Sequence, residues 1–168
     1  MSQPFIAALF LYGAILLLVA AALWDAVTMT IPNYLVLAVL ALYVASLVVN
    51  FVVSDILFDL LAAVIIFIVC FVLFALGWLG GGDAKLAPGA VLWVGYDGFL
   101  EFVVAMTLAG GALSIALLIL RGGLRAASAS QDRLPLVLQW ASPIPYGIAI
   151  SAGAILMIWL QNSASLLF

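Results

Sequence analysis

Five stretches of this 168-residue chain stay apolar for about as long as a bilayer is thick: Phe5 to Trp24, Tyr34 to Val53, Ile56 to Leu79, Phe99 to Leu120 and Ile144 to Gln161. A helix rises 1.5 Å per residue, so roughly 20 residues cross the ~30 Å of hydrocarbon. Lipid cannot hydrogen-bond the backbone, which leaves helices or a closed barrel as spanning structures. The runs lack the period-two alternation of barrel strands, so they are read as helices. Composition agrees: 70% of residues are hydrophobic and 7% charged, against roughly 25% charged in soluble domains. Seven acidic and four basic side chains could not cover a globule of this size with polar surface. The expected fold is an all-α polytopic integral membrane protein, a single transmembrane domain over residues 1–168.

A sixth run, Leu86 to Tyr96, is short. Eleven residues reach only about 17 Å, and the glycines before Asp83 are expected to lie unwound in the membrane and supply part of the missing length. Charge placement decides whether this run crosses, because Lys and Arg in short loops mark the cytoplasmic side. If it crosses, Asp25, Lys85 and the arginines at 121, 125 and 133 share one face and every basic residue lies there. If it turns back, Lys85 is parted from the arginines. The reading is therefore six crossings with a short fourth helix, both termini outside, and Arg121 to Ser142 as the one sizeable loop on the cytoplasmic side. No basic segment precedes the first apolar run and no small-residue cleavage site follows it, so no cleaved signal peptide is expected.

The chemistry open to the chain is narrow. It has no histidine and one cysteine, Cys70, so imidazole catalysis, a disulfide framework and a cysteine-built zinc site are excluded. No cofactor or metal is expected. Asp25 closes helix 1 and Asp83 follows helix 3, and the six-crossing topology puts both at the same membrane face. Ionisable residues at membrane depth are costly and are read as functional by default. Two carboxyls near one water can share a proton and act as base and acid on an amide. The negative end of the helix dipole disfavours charge on Asp25. Asp83, behind Gly80-Gly81-Gly82, is placed to cap the next helix, so Asp25 is expected to hold the resting proton. The three glycines permit close approach of an extended peptide.

Asp25 lies five residues before the Ile31-Pro32-Asn33 junction, and this segment resembles the first-aspartate motif of the type IV prepilin peptidases. Gly80-Gly81-Gly82-Asp83-Ala84-Lys85-Leu86 resembles their second, the Gly-x-Gly-Asp signature of intramembrane aspartic proteases. Pro145-Tyr146-Gly147 at the start of the last helix, together with the chain length, resembles the short branch associated with Flp-type tight-adherence pili. The resemblance implies an aspartic endopeptidase of the bacterial inner membrane. It would remove the basic leader of prepilins or pseudopilins at the cytoplasmic face, alongside the pilus assembly machinery and with no role for nucleic acid. Asp25 and Asp83 match the catalytic aspartates, and Gly80, Gly81, Gly82, Lys85, Pro32 and Asn33 form the supporting set. The paired Cys-x-x-Cys motifs of larger members are missing, so no N-terminal zinc-binding domain is expected and methyl transfer is not carried over. Ala26 to Thr30 lack the basic residues that relatives often carry there.

Two other functions compete. A proton-coupled transporter would use the aspartates as a relay, but needs polar residues through the depth of several helices, and helices 1, 2 and 5 have almost none. A non-catalytic pilus assembly factor would tolerate loss of either aspartate. The remaining polar groups have plainer readings. Asp55 with Asp59, and Asp97 with Glu101, complement helix dipoles at the outer interface. Arg121, Arg125 and Arg133 set topology. Gly77 with Gly81, Gly110 with Gly111, and Gly147 with Ser151 ease helix packing. The five tryptophans mostly fall near the ends of the expected helices, as an interfacial belt would.

Overall fold

The structure is a computed structural model and describes residues 3–50, 56–126, 134–140 and 142–164. It is all-α. Six helices follow one another: α1 (Gln3–Thr28), α2 (Asn33–Asn50), α3 (Ile56–Ala75), α4 (Gly81–Val94), α5 (Phe99–Ala126) and α6 (Tyr146–Ala164), with a 3₁₀ turn over Leu136–Leu138 before the last. By length and composition α1, α3 and α5 can each cross a bilayer, and α2 is a shorter apolar helix. The surface fits lipid: Leu16, Leu23, Leu57, Leu108 and Ile119 are exposed large aliphatics spread over α1, α3 and α5, a face that only a hydrocarbon solvent leaves unpenalised.

The helices run up and down as the sequence indicates, with boundaries that differ in informative ways. Helix α1 continues past Trp24 to Thr28, so Asp25 lies inside the last turn rather than at its end. Helix α3 stops at Ala75. Gly77, read from sequence as a packing residue, has φ 75° and closes α3. Its N–H donates to Phe74 O at 2.9 Å and the Trp78 N–H to Leu73 O at 2.9 Å, the paired bonds of a left-handed glycine cap. The three glycines are not an unwound stretch. Gly80 alone is extended, at φ −68° and ψ 145°, and α4 begins at Gly81. Helix α5 continues through Arg121 and Arg125 to Ala126, so these two arginines are helical and not in a loop. Arg133 and Asp55 lie outside the described residues.

Small residues let α4 sit at the centre. Ala84, Ala87, Ala90 and Val91 are buried, as are Ala21 of α1, Ala62 and Ala63 of α3, and Ala154 of α6. In lipid there is no hydrophobic drive between helices, so close backbone approach through such residues is what holds them together. Cys70 is buried in this core. Polar bonds add to it at the end opposite the aspartates. Asp59 accepts the Tyr43 hydroxyl at 3.2 Å and the Tyr96 N–H at 2.8 Å, joining α2, α3 and the α4–α5 junction, a larger role than complementing a dipole. Trp93 is not part of an interfacial belt, since its indole N–H donates to Val39 O in the middle of α2 at 3.2 Å. Asp59→Ala removes both bonds to the carboxylate and is expected to cost about 1–3 kcal/mol. It lowers the thermal midpoint in detergent and leaves the chemistry at the far end of the bundle untouched; an unchanged midpoint would contradict this role.

Candidate active site

The end of the bundle that carries Asp25 is built by three chain reversals. At the first, Met29 takes a left-handed φ of 55° and its N–H donates to Asp25 O at 2.8 Å, which stops α1. The Thr28 hydroxyl donates to Trp24 O at 2.8 Å and ties off the same turn. Pro32 then holds Ile31 in extended backbone, because the ring excludes the helical region from the residue before it. Ile31 is buried and wedges between the other two reversals. A Cβ on Gly82 would come within 2.9 Å of Ile31 Cβ and 3.0 Å of its backbone N, and one on Gly147 within 2.8 Å of Ile31 Cδ1.

At the second reversal, Gly80 is the N-cap of α4, and Asp83 is the third helical residue rather than the cap. A carboxylate in the first turn still faces the positive end of the dipole. Its Oδ2 lies 2.8 Å from where a Gly80 Cβ would stand, so the side chain folds back over the helix start. Its Oδ1 is buried without a hydrogen-bond partner. At the third reversal, Pro145 leads into α6, and the Gly147 N–H, one of the unsatisfied amides of a helix N-terminus, donates to Asp25 Oδ2 at 2.9 Å.

Asp25 is 3% exposed and Asp83 7%, and the two line one cavity of about 590 Å³ together with Met29, Trp78, Leu79, Arg121, Pro143, Ile144 and Tyr146. The structure brings the two aspartates named from sequence to one cavity, from α1 and α4, beside the N-terminus of α6. A cavity of that volume falls in the range that holds small ligands or a few residues of peptide. Among the described residues no group of three metal-ligating side chains occurs.

The supporting residues divide. Gly80 and Gly82 are at the site, the latter held against Ile31. Gly81 faces the Phe74 ring. Lys85 does not reach the aspartate cavity. Its Nζ donates to Asn33 Oδ1 at 3.1 Å, and the two line a separate, largely apolar groove between α2, α3 and α4. Pro32 acts through Ile31. Three residues that sequence reasoning passed over belong to the site: Ile31, Gly147 and Arg121. A signal existed for Gly147, since Pro145-Tyr146-Gly147 was legible as a helix start and a helix start presents free amides to an anion.

Comparison with known families adds an independent finding. The model of the type IV leader peptidase family matches residues 11–115, more than half of the chain and a span that contains both aspartates. No curated protein and no solved structure matches.

Proposed function

The chain belongs to the type IV leader peptidase family, and from that premise we propose that Asp25 and Asp83 are the catalytic pair of a membrane-embedded aspartic endopeptidase that removes prepilin leaders. Family membership implies the leader peptidase activity, prepilin substrates and an inner-membrane location; the residues, the mechanism, the substrate type and the orientation are our reading. The observation that carries it is the burial of two carboxyls in one cavity, with the Gly147 amide on one of them.

In the proposed reaction one aspartate is ionised and its partner neutral, because like charges sharing a small apolar site cannot both ionise at little cost. The ionised carboxylate takes a proton from a water held between the pair. The hydroxide oxygen bonds to the carbonyl carbon of the scissile amide, and the neutral carboxyl gives its proton to the carbonyl oxygen. As the tetrahedral gem-diol collapses, the second aspartate takes back one hydroxyl proton, the C–N bond breaks and the amine leaves with the proton that the first aspartate took, which gives the carboxylic acid and restores the pair. A carboxylate that accepts a backbone N–H is the better placed to carry charge, and the amides at the starts of α4 and α6 lie beside this pair, so one proton is shared between the two carboxyls and belongs to the pair rather than to either residue.

The cavity end also carries Lys85, Arg121 and Arg125, whereas Asp59, Asp97 and Glu101 belong to the opposite end of the bundle. By the bias of basic residues toward the cytoplasm, the cavity opens there. With the basic residues gathered at this end, the chain is read as crossing six times, helix α4 being the short one at 14 residues and about 21 Å. Co-expression in membranes with a Flp-type prepilin and, separately, with a longer-leader type IV prepilin, read by gel shift and N-terminal sequencing, tests the substrate reading. Removal of the Flp-type leader is expected. Cleavage of only the other substrate would overturn the Flp assignment, and cleavage of neither would overturn the peptidase reading itself.

A further inference from the structure

Arg121 is 5% exposed, deep for a residue that sequence reasoning took for a topology marker, and among the described residues it is the one basic side chain lining the aspartate cavity. Its guanidinium does not bond to either aspartate. Nε donates to Val137 O at 3.0 Å, Nη2 to Val137 O at 2.8 Å and to Pro143 O at 3.0 Å, and Nη1 to Ser142 O at 2.8 Å. Four of the five N–H groups of the planar fork are thus spent on three carbonyls of the segment that leads from the 3₁₀ turn into α6.

We infer that Arg121 is a positioning residue for leader cleavage: it clasps the chain entering α6 so that the Gly147 amide stays seated on Asp25. This rests on the proposed function. The last clasped carbonyl, Pro143, is four residues before Gly147, and Pro143 and Pro145 both fix φ in that stretch. A shift at the clasp is therefore carried along the chain to Gly147 and not absorbed by free rotation. Gly147 has no slack of its own, being within van der Waals contact of Asp25 and Ile31. The same segment supplies Pro143, Ile144, Pro145 and Tyr146 to the cavity wall, so the clasp also sets the mouth through which a peptide enters.

Lysine keeps the charge but not the fork, and a single ammonium on a flexible stem cannot hold three carbonyls in fixed relation. Glutamine keeps neither. Steady-state cleavage by wild type, Arg121→Lys and Arg121→Gln is compared in liposomes well below each variant's thermal midpoint. The expected result is a kcat lower by about tenfold or more in both variants, the size of effect that a misplacement of under 1 Å produces, with KM within about twofold of wild type. Full activity in Arg121→Lys alone would mean that charge and not the clasp matters, and would overturn the inference. A raised KM at unchanged kcat would make Arg121 a substrate contact and overturn it as well. Lower midpoints with unchanged kinetics would leave only a structural role and do the same. If Arg121→Lys does not accumulate, Pro143→Gly is measured instead, which keeps the guanidinium bonds and loosens the link to Gly147. A kcat reduced about threefold or more supports the inference, and an unchanged kcat rejects it. Failure of the wild type to cleave any prepilin would reject the function on which all of this depends, a separate outcome from wild-type cleavage with unaffected variants.

Discussion

Asp83→Asn and Asp25→Asn are each expected to abolish leader removal in a membrane assay, with both proteins accumulating and remaining at least as stable as the wild type. Asparagine keeps the size of aspartate and can accept the same Gly147 N–H, so the helix junctions need not move. What it loses is the exchangeable proton. Acid or base catalysis by one positioned group contributes about 10² to 10⁴ in rate, and the pair works as a unit, so losing either member removes the effect of both. Cleavage then falls below detection on a gel. The stability half of the expectation matters equally. Two carboxyls buried in a membrane protein are costly, and Asp83 Oδ1 has no hydrogen-bond partner to offset its burial. A bundle that carries this cost gains nothing structural from it, so the neutral amide raises the thermal midpoint or leaves it unchanged. Asp59→Asn, at the other end of the bundle, is the control and retains cleavage. Leader removal that survives in either active-site variant would sink the two-aspartate mechanism and return the assembly-factor reading to the front.

The sequence displayed the membrane fold and the aspartates for the same physical reason. A carboxylate in an apolar chain is conspicuous, and so is a run of 20 residues without one. Six helices and their alternating direction follow from hydropathy and four basic residues. What the sequence did not display is whatever depends on contacts between elements distant along the chain. Ile31 reads as an ordinary aliphatic before a proline, and only the packed junctions make it the wedge that Gly82 and Gly147 both touch. Arg121 looks like a cytoplasmic anchor because the positive-inside bias explains it fully; nothing in the sequence says that Val137, Ser142 and Pro143 turn their carbonyls toward it. Lys85 entered the supporting set through its place in the second motif; a helix turns about 200° over the two residues from Asp83, so the two do not share a face, and Lys85 meets Asn33 instead. The family match covers residues 11–115, so Arg121, Pro145 and Gly147 lie beyond it.

Gly82→Ala and Gly147→Ala separate a packed site from a site that merely contains two aspartates. On Gly82 a methyl group would stand 2.9 Å from Ile31 Cβ and 3.0 Å from Ile31 N, contacts that real structures avoid. The obstacle is backbone at a junction stiffened by Pro32, so no rotamer change relieves it. Helix α4 must move off the α1–α2 junction, taking Asp83 with it, since Asp83 is the next residue. On Gly147 the methyl group meets Asp25 Oδ2 and Ile31 Cδ1, both at 2.8 Å, and pushes the carboxylate away from the amide that it accepts. A misplacement of about 1 Å costs about 10²-fold in rate, so each variant is expected to lose at least that much of kcat. Gly111, Gly122 and Gly123 in α5 have nothing within 4 Å of an added Cβ and give the comparison. Alanine at these helical positions stabilises by about 0.5–1 kcal/mol each and leaves cleavage intact. If Gly82→Ala were to cleave within twofold of wild type at equal abundance, Ile31 would be no wedge and the two reversals would not be what holds the aspartates together. In Gly147→Ala, adding Ile31→Val removes the Cδ1 contact but not the one with Asp25 Oδ2, so recovery is partial. The size of that recovery measures how much of the loss comes from the wedge and how much from the displaced carboxylate.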